Sequence, residues 1–329
     1  FRDILKGARD FYQSTGSDRL VEKNEAVKLG VVLAHLAQAQ KDKVTILASK
    51  TLKPFGAWME QLVAESTGKE GKGIIPVDAE GPLPLSAYGD DRVFVVLKMK
   101  GEAVAKLNST VKALKKKGFP VIEMEWKQGT AIGAEFMRWE LATAAASGAM
   151  KINPFDEPNV KESKDNTARL VASVQKNGRL KAPEELTAAK GPHDFEDFLN
   201  GFSRGGYLAM LAYAERSPET QRAFSRIQNH LAQKYRKPVL LGFGPRYLHS
   251  IGQLYKGGPQ EGAFMIFVGG NGKNLPIPDA KLTFNSLLRA QAVGDFQALD
   301  DRSRPILFVD LGKIPFPVLR YLKKSSQHF

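Results

Sequence analysis

The spacing of apolar residues switches repeatedly between a helical and a strand period in the first half of the chain. Residues 1–40 have apolar positions at helical spacing, clearest in EAVKLGVVLAHLAQAQ, and further helices are predicted to begin near Pro54 and to span Glu102 to Lys117 and Gly133 to Met150. The predicted strands of this half are Val44 to Ser49, Ile74 to Val77, Arg92 to Met99 and Pro120 to Trp126. Strands that alternate with crossover helices predict an α/β layer fold with a mainly parallel sheet.

The second half repeats this alternation after a break. One more helix follows the turn INPFDEPN and is predicted to stop at Asn177, and the polar segment Lys176 to Gly191 has the composition of a linker. Beyond it lie helices at Phe195 to Gly201 and Pro218 to Lys234, then the apolar strands PVLLGFG, GAFMIFVGG and RPILFVDL. We therefore expect two regions, residues 1–190 and 191–329. The pattern leaves open whether the second is a separate domain or extends the first sheet.

Composition narrows the function classes. Hydrophobic residues make up 43% of the chain, as in globular proteins, and there is no cysteine, which excludes disulfides, a thiol nucleophile and the common structural zinc sites. The five histidines have no ligand-like spacing, so we predict no metal site. Apolar runs are only strand-sized, so we expect no membrane partner, and the absence of targeting motifs suits a cytoplasmic protein.

The net charge of +13 raises the question of an anionic partner. The one dense basic run, Lys112 to Lys117, lies at the end of a predicted helix, where cations complement the helix dipole. The other basic residues are dispersed among acids, whereas nucleic-acid binders concentrate them in a stripe. A small anion such as a sugar phosphate therefore fits the charge better than nucleic acid does.

Glu65 lies on an otherwise apolar stripe of its predicted helix, formed by Phe55, Trp58 and Leu62. Gln61 is one turn earlier, so both side chains are predicted to project from the same side. Burial and the helix C-terminus both disfavour a carboxylate and would raise the pKa of Glu65, which suits a general base working near neutral pH. The alternative is a residue at the edge of the core that pairs with Lys69, and the pattern alone favours it.

Lys164 occupies a comparable position in the helix after NPFDEP. Val160, Thr167, Val171 and Val174 define an apolar stripe that also contains Lys164. The spacing leaves two interpretations open: either the lysine stem covers the core while the ammonium reaches solvent, or the ammonium faces an anionic ligand.

A third group of polar residues lies in the loop from Gly242 to Gly262, which includes Arg246, His249 and Lys256. Loops that follow strands carry ligands in open α/β sheets, and a histidine beside cations can move protons near an anion. Alternatively, the glycines serve tight turns and His249 has only a structural role. The spacing matches no dinucleotide fingerprint.

At these same segments the sequence resembles the glucose-6-phosphate isomerase family. KINPFDEPNVKESKDNT is similar to the family's Asn-Pro-Phe-Asp-Gln stretch and its lysine-bearing helix, and QLVAESTGKEGKG to its Gln-x-x-x-Glu-Ser-x-Gly-Lys segment. GFGPRYLHSIGQLYKGGP, with AQAVGD later, is similar to the variant fused behind a transaldolase. The likeness implies a three-layer αβα sugar-isomerase fold with a C-terminal α/β extension, and no cofactor.

The resemblance also implies residue roles. Glu65 would be the base that moves a proton between C1 and C2 through a cis-enediol, and Gln61 and Lys164 would contact the substrate. Glu157 stands where the family has glutamine, which puts that substrate contact in doubt. The family's ring-opening histidine has no counterpart in GPLPLSAYGDDR, so we hypothesise that His249 replaces it, with Lys256 as a further substrate contact.

The expected partners follow from the same resemblance. The chain starts with Phe and has no counterpart of the family's N-terminal phosphate-binding half, so we expect a C-terminal part of a longer protein. It would work with the missing half, with a sugar phosphate as substrate, as a homodimer and next to a transaldolase domain. The alternative is a phosphosugar-binding regulatory module without catalysis.

Overall fold

The fold is described from a computed structural model, which describes residues 1–15, 23–177, 197–201, 206–269 and 274–312. These residues divide into two compact units. The first is built from Phe1–Ala79, Gly89–Glu157 and Gly257–Pro259, and the second from the described residues within Glu80–Tyr88, Pro158–Lys256 and Gln260–Phe329. Each unit has a parallel sheet of its own.

The sheet of the first unit has four parallel strands in the order β2-β1-β3-β4. They are β1 (Lys43–Ala48), β2 (Ile75–Val77), β3 (Arg92–Met99) and β4 (Val121–Trp126). The chain steps outward from β1 to β2 and, in the opposite direction, from β3 to β4. Because crossover connections are right-handed, the helices of these two steps lie on opposite faces of the sheet.

The described part of this unit has five α-helices. They are α1 (Arg2–Ser14), α2 (Glu25–Gln38), α3 (Lys53–Thr67), α4 (Ala105–Lys117) and α5 (Ile132–Met150). Val93, Val95 and Leu97 of β3 join the core formed with α2, α3 and α5. The intervening Phe94 points to the other face, where its ring meets Phe119, just after α4, in an edge contact at 5.4 Å. Helices on both faces make this a three-layer α/β unit, as predicted.

The second unit contains a parallel sheet in the order β10-β7-β5-β6. Its strands are β5 (Tyr207–Tyr213), β6 (Val239–Phe243), β7 (Gly262–Gly269) and β10 (Ile306–Gly312), and a short hairpin pairs β8 (Pro276–Ile277) with β9 (Leu282–Thr283). Its helices are α6 (Val160–Asn177), α7 (Pro218–Tyr235), α8 (Gly252–Gly257, up to Lys256 in this unit) and α9 (Phe284–Asp300). The predicted helix at Phe195 to Gly201 is described only for residues 197–201, which are helical.

Two features differ from the expectations. Helix α6 belongs to the second unit, so the units part near residue 157 rather than near residue 190. Helix α9 was not predicted, because it is buried on most of its surface, including Gly294 and Asp295, and so lacks an amphipathic stripe. Thr283 caps it by accepting a hydrogen bond from the backbone amide of Ser286 at 3.2 Å.

Within the described part of the chain, no helix has the length and apolarity needed to cross a membrane.

The contact between α2 and α5 gives a test of the first unit. A Cβ atom at Gly30 would lie 2.2 Å from the carbonyl oxygen of Ala142 and 2.9 Å from the amide nitrogen of Ala146. Both are backbone atoms, so the helices would have to move apart, and we expect Gly30→Ala to lower the free energy of unfolding by about 1–3 kcal/mol.

Gly148 in α5 is the matched control, because a Cβ there has no neighbour within 4 Å. Gly148→Ala should therefore raise the free energy of unfolding by about 0.5–1 kcal/mol, as alanine does in helices. Urea denaturation of both variants measures the difference. Equal stability of the two variants would contradict the close α2–α5 packing.

Candidate functional site

Glu65 lies in the last turn of α3, on the partly buried edge of the helix rather than on its core face. Gln61 lies one turn earlier, and its Nε2 donates to Oε2 of Glu65 over 3.4 Å. The prediction that both side chains project from the same side is confirmed. The carboxylate is thus held at a helix C-terminus, where the backbone carbonyls add partial negative charge.

A second carboxyl group, that of Glu157, lies against Glu65 and hydrogen-bonds to it. The pKa of Glu65 is raised from its ordinary 4.5 to about 7, chiefly by burial and then by the hydrogen bond and charge of Glu157, while Gln61 and the charge of Lys69 act in the opposite direction. Two carboxyls in contact resist being ionised together, so Glu65 loses its proton only near neutral pH. The predicted substrate contact Glu157 therefore adjoins the predicted base.

Lys69 does not pair with Glu65, contrary to the alternative interpretation of that helix. Its buried ammonium lies 2.9 Å from Oδ1 of Asp156 and donates to the backbone carbonyl of Asn153 at 2.6 Å. The Lys69 ammonium holds the pKa of the Asp156 carboxyl below its usual range. Lys69 therefore fixes the turn that carries Glu157.

The backbone around Lys69 explains how it reaches that turn. Glu70 and Gly71 have positive φ values of 54° and 71°, as the two central residues of a tight hairpin turn of type I′ do. The turn places Lys69 and Lys72 side by side. Lys72 donates to the carbonyl of Met150, the last residue of α5, at 3.0 Å. Both lysines thus satisfy carbonyl groups at and just beyond the C-terminus of α5.

Lys69 and Asp156 were missed as site residues by the sequence reasoning. Both lie inside the segments that carry the resemblance, ESTGK and NPFDE. Their contact joins positions 87 apart in sequence (156 minus 69), and no local periodicity reveals such a contact. The available signal was a lysine in one of these segments and an aspartate in the other.

The second unit contains a cavity of about 280 Å³ that three predicted site residues line together: Lys164, His249 and Lys256. Lys164, Thr167 and Val171 all face it, so the stripe that Lys164 interrupts borders a cavity rather than a closed core. Lys164 is exposed, which fits an ammonium available to an anion. His249 ends a single 3₁₀ turn (Arg246–His249) that follows the carboxyl end of β6, and it too is exposed.

Lys256 differs from the other two because its ammonium already has a partner. It lies 2.7 Å from Oδ1 of Asp295, and both side chains are buried. Next to it, Tyr255 is buried and its ring packs on those of Tyr207 and Phe264. Tyr255 therefore has a packing role.

The structure therefore groups the predicted residues into two sets. Gln61, Glu65 and Glu157 come together in the first unit, and Lys164, His249 and Lys256 line one cavity in the second. The first set can accept and return a proton near neutral pH, because its base has a pKa of about 7. The second set offers an exposed cation and an imidazole, groups that bind anions and transfer protons.

Comparison with known proteins gives the following similarities. No family model matches the chain. A glucose-6-phosphate isomerase of Mycoplasmopsis synoviae is 29% identical over 204 residues, which cover 50% of this chain and 47% of that protein. One of Clostridium tetani is 28% identical over 222 residues, 56% of this chain and 49% of that protein. The chain spans about half the length of the curated relatives it matches, and about half of it is similar to glucose-6-phosphate isomerases.

Solved structures give weaker likenesses. A hypothetical protein from Thermus thermophilus aligns with a TM-score of 0.36 and 13% identity, over 98% of this chain and 88% of that one. The C-terminal domain of glucosamine-fructose-6-phosphate aminotransferase from Francisella tularensis has a TM-score of 0.30 and 12% identity, over 92% of this chain and 94% of that one. The fold described above rests on this chain's own strands and helices.

The contact between the two carboxyls gives a prediction about pH. Glu157→Gln removes a hydrogen bond and a charge that both raise the pKa of Glu65, so its titration midpoint should fall below about 7. Glu65 would then be deprotonated, and able to act as a base, at lower pH than in the wild type. Carboxyl ¹³C NMR of this chain measures the midpoint. Glu70→Gln, an exposed change beyond the helix end, is the control, and equal midpoints in all three proteins would contradict the contact.

Proposed function

We propose that this chain carries the proton-transferring part of an aldose–ketose isomerase that interconverts glucose 6-phosphate and fructose 6-phosphate. The observation that carries the proposal is the raised pKa of the Glu65 carboxyl, which lies in the last turn of α3. Burial and the contact with Glu157 raise this pKa to about 7. The sequence similarity to glucose-6-phosphate isomerases over half the chain supports an isomerase reaction, and the name of these relatives points to glucose 6-phosphate as a substrate.

In the proposed reaction Glu65 acts on the open-chain sugar. Its carboxylate takes the proton from C2 of the aldose while the C1 carbonyl oxygen gains a proton, which gives a cis-enediol. The hydroxyl on C2 then loses its proton as the C2 carbonyl forms, and Glu65 returns its proton to C1. No oxidant or reductant is needed, because two carbon atoms exchange oxidation levels within one molecule. A base with a pKa near the working pH suits both the removal and the return.

The other roles are assigned residue by residue. Gln61 donates to the Glu65 carboxylate and would orient it and contact the sugar. Lys164 would bind the anionic group of the substrate, and His249 would transfer the proton that opens the sugar ring. Lys256 would contact the substrate only if it shares its ammonium with Asp295. Glu157 would act on Glu65 rather than bind phosphate, because a carboxylate repels an anion.

Activity in this proposal belongs to the complete natural protein. The matched relatives are about twice as long as the matched segments, so a further part of the protein would supply the remaining phosphate contacts. We further propose that the active form is a homodimer, and that a transaldolase domain precedes this part. Size measurement and the sequence of the full-length protein test these two points directly.

Loss of the base gives the sharpest test of the reaction. In the full-length protein, Glu65→Gln should lower kcat for the conversion of glucose 6-phosphate to fructose 6-phosphate by about 10²–10⁴-fold, the usual contribution of a general base. Glu140→Gln, which removes an exposed carboxylate from α5, is the matched control and should leave kcat unchanged. Retained activity in Glu65→Gln would contradict the assignment of the base.

Measuring substrate binding separately from turnover distinguishes the proposed isomerase from the alternative, a regulatory module that binds phosphosugar without catalysis. Lys164→Met should weaken binding of glucose 6-phosphate by about 10–100-fold, the effect of losing a hydrogen bond to a charged group. Lys176→Met, in the last turn of the same helix, is the control, and calorimetry measures both. A full-length wild type that binds phosphosugar but converts none would favour the regulatory module, which the exposed Lys164 at its cavity supports.

A further inference from the structure

The second unit contains a cluster of buried polar side chains that the proposed reaction does not use. Asp295 of α9 is completely buried, accepts a hydrogen bond from the Tyr247 hydroxyl and forms an ion pair with the Lys256 ammonium, which lies 2.7 Å from Oδ1. The hydroxyl of Tyr213 lies 3.0 Å from that of Tyr247. We call these four residues, Asp295, Tyr247, Lys256 and Tyr213, the Asp295 cluster.

The proton positions in the Asp295 cluster follow from the chemistry of its members. Burial, with the nearby Asp295 charge, raises the pKa of Tyr213 and Tyr247 well above the ordinary value, so both keep their hydroxyl protons. Tyr247 has one proton, and the carboxylate is its strongest acceptor, so Tyr213 donates to the Tyr247 oxygen. The Asp295 carboxyl thus accepts from the Tyr247 hydroxyl and lies against the Lys256 ammonium.

A buried ion pair of this kind is weak evidence for stability. Removing two charges from water costs several kcal/mol per ion, and well-packed apolar residues often do as well. The position of the pair in the chain suggests what else it does. Tyr247 precedes His249 by two residues, and Lys256 follows it by seven. One carboxylate therefore holds both ends of the segment that carries His249.

The same turn of α9 also fixes the opposite wall of the cavity. A Cβ atom at Gly294 would lie 2.7 Å from Oγ1 of Thr167 and 3.0 Å from its amide nitrogen, so α6 packs directly on the α9 backbone. Asn166 donates to the carbonyl of Gly294 at 3.4 Å. Lys164 and Thr167 line the cavity. Two adjacent residues of α9 thus set the distance of α6 and the position of the His249 segment.

We propose that Asp295 is a positioning residue for His249: by binding Tyr247 and Lys256 at once, its carboxylate holds the Arg246–Lys256 segment so that the imidazole lies at the cavity wall beside Lys164. This structural role of Asp295 holds whatever reaction the protein catalyses. That a displaced His249 would slow the isomerase reaction rests on the function proposed above.

The test uses this chain and needs no activity. Asp295→Asn removes the negative charge that pairs with the Lys256 ammonium, and its NH₂ replaces one of the two acceptor oxygens, so the attachment of the segment is weakened. We expect amide exchange in residues 246–256 to become about 10–100-fold faster, the effect of losing a hydrogen bond to a charged group. We also expect the His249 imidazole ¹H–¹³C cross-peak, assigned with His249→Gln, to move.

Controls separate positioning from general destabilisation. Asp310→Asn removes the carboxylate of an exposed ion pair with Arg289 in the same unit and should leave both signals unchanged. If Asp295→Asn fails to fold, Tyr247→Phe keeps the ring, removes one attachment, and should produce the same changes to a smaller extent. An unmoved His249 cross-peak in the folded variants, or exchange that accelerates equally in β5 and β7, would overturn the proposal.

Kinetics of the full-length protein keep this proposal separate from the proposed function. If both hold, Tyr247→Phe and Asp295→Asn lower kcat by about 10²-fold with KM changed far less, because a displaced acid–base group impairs chemistry more than binding. If the wild type has no isomerase activity, the proposed function fails and the NMR result still decides the role of Asp295. If activity is normal in both variants and the cross-peak is unmoved, the positioning role of Asp295 is wrong while the proposed function stands.

Discussion

The arrangement around Glu65 depends on one buried cation, the ammonium of Lys69. It binds the Asp156 carboxylate at 2.9 Å and the Asn153 carbonyl at 2.6 Å, and so fastens the turn after α5 to the turn after α3. Since a buried ammonium needs close compensation, these partners cannot leave without a large cost. Glu157 is the residue after Asp156, so the same contact brings the second carboxyl to Glu65.

That contact changes the meaning of the departure at position 157. From the resemblance we expect glutamine there, and a carboxyl near a phosphate would weaken binding by repulsion. In this chain Glu157 contacts Glu65, and together with burial it holds the pKa of Glu65 at about 7. A glutamine amide would donate to the carboxylate and lower that pKa instead. Glu157 therefore sets the pH at which Glu65 loses its proton, and Lys69 holds the turn that carries Glu157.

The periodicity of apolar residues predicted the features that depend on neighbouring positions in the chain. The strand and helix periods gave the α/β fold and most element bounds, and single polar residues on apolar stripes pointed to Glu65 and Lys164, which lie at a carboxyl pair and a cavity. Contacts between distant segments were beyond reach: Lys69 with Asp156, and Asp295 with Tyr247 and Lys256. Helix α9 was missed for a related reason, because burial on most sides removes the periodic signal. The catalytic roles of Glu65 and His249 stay predictions. So do the substrate contacts of Gln61, Glu157, Lys164 and Lys256.

The central claim is that a carboxylate at position 65 moves a carbon-bound proton. The most direct measurement is NMR of fructose 6-phosphate and glucose 6-phosphate equilibrated in D₂O by the full-length protein. A proton held by the Glu65 carboxyl exchanges with solvent during its transfer, so the account predicts deuterium at C1 of the ketose and C2 of the aldose, accumulating over successive turnovers. Interconversion that continues to equilibrium with no deuterium at either carbon would indicate direct hydride transfer and contradict the account.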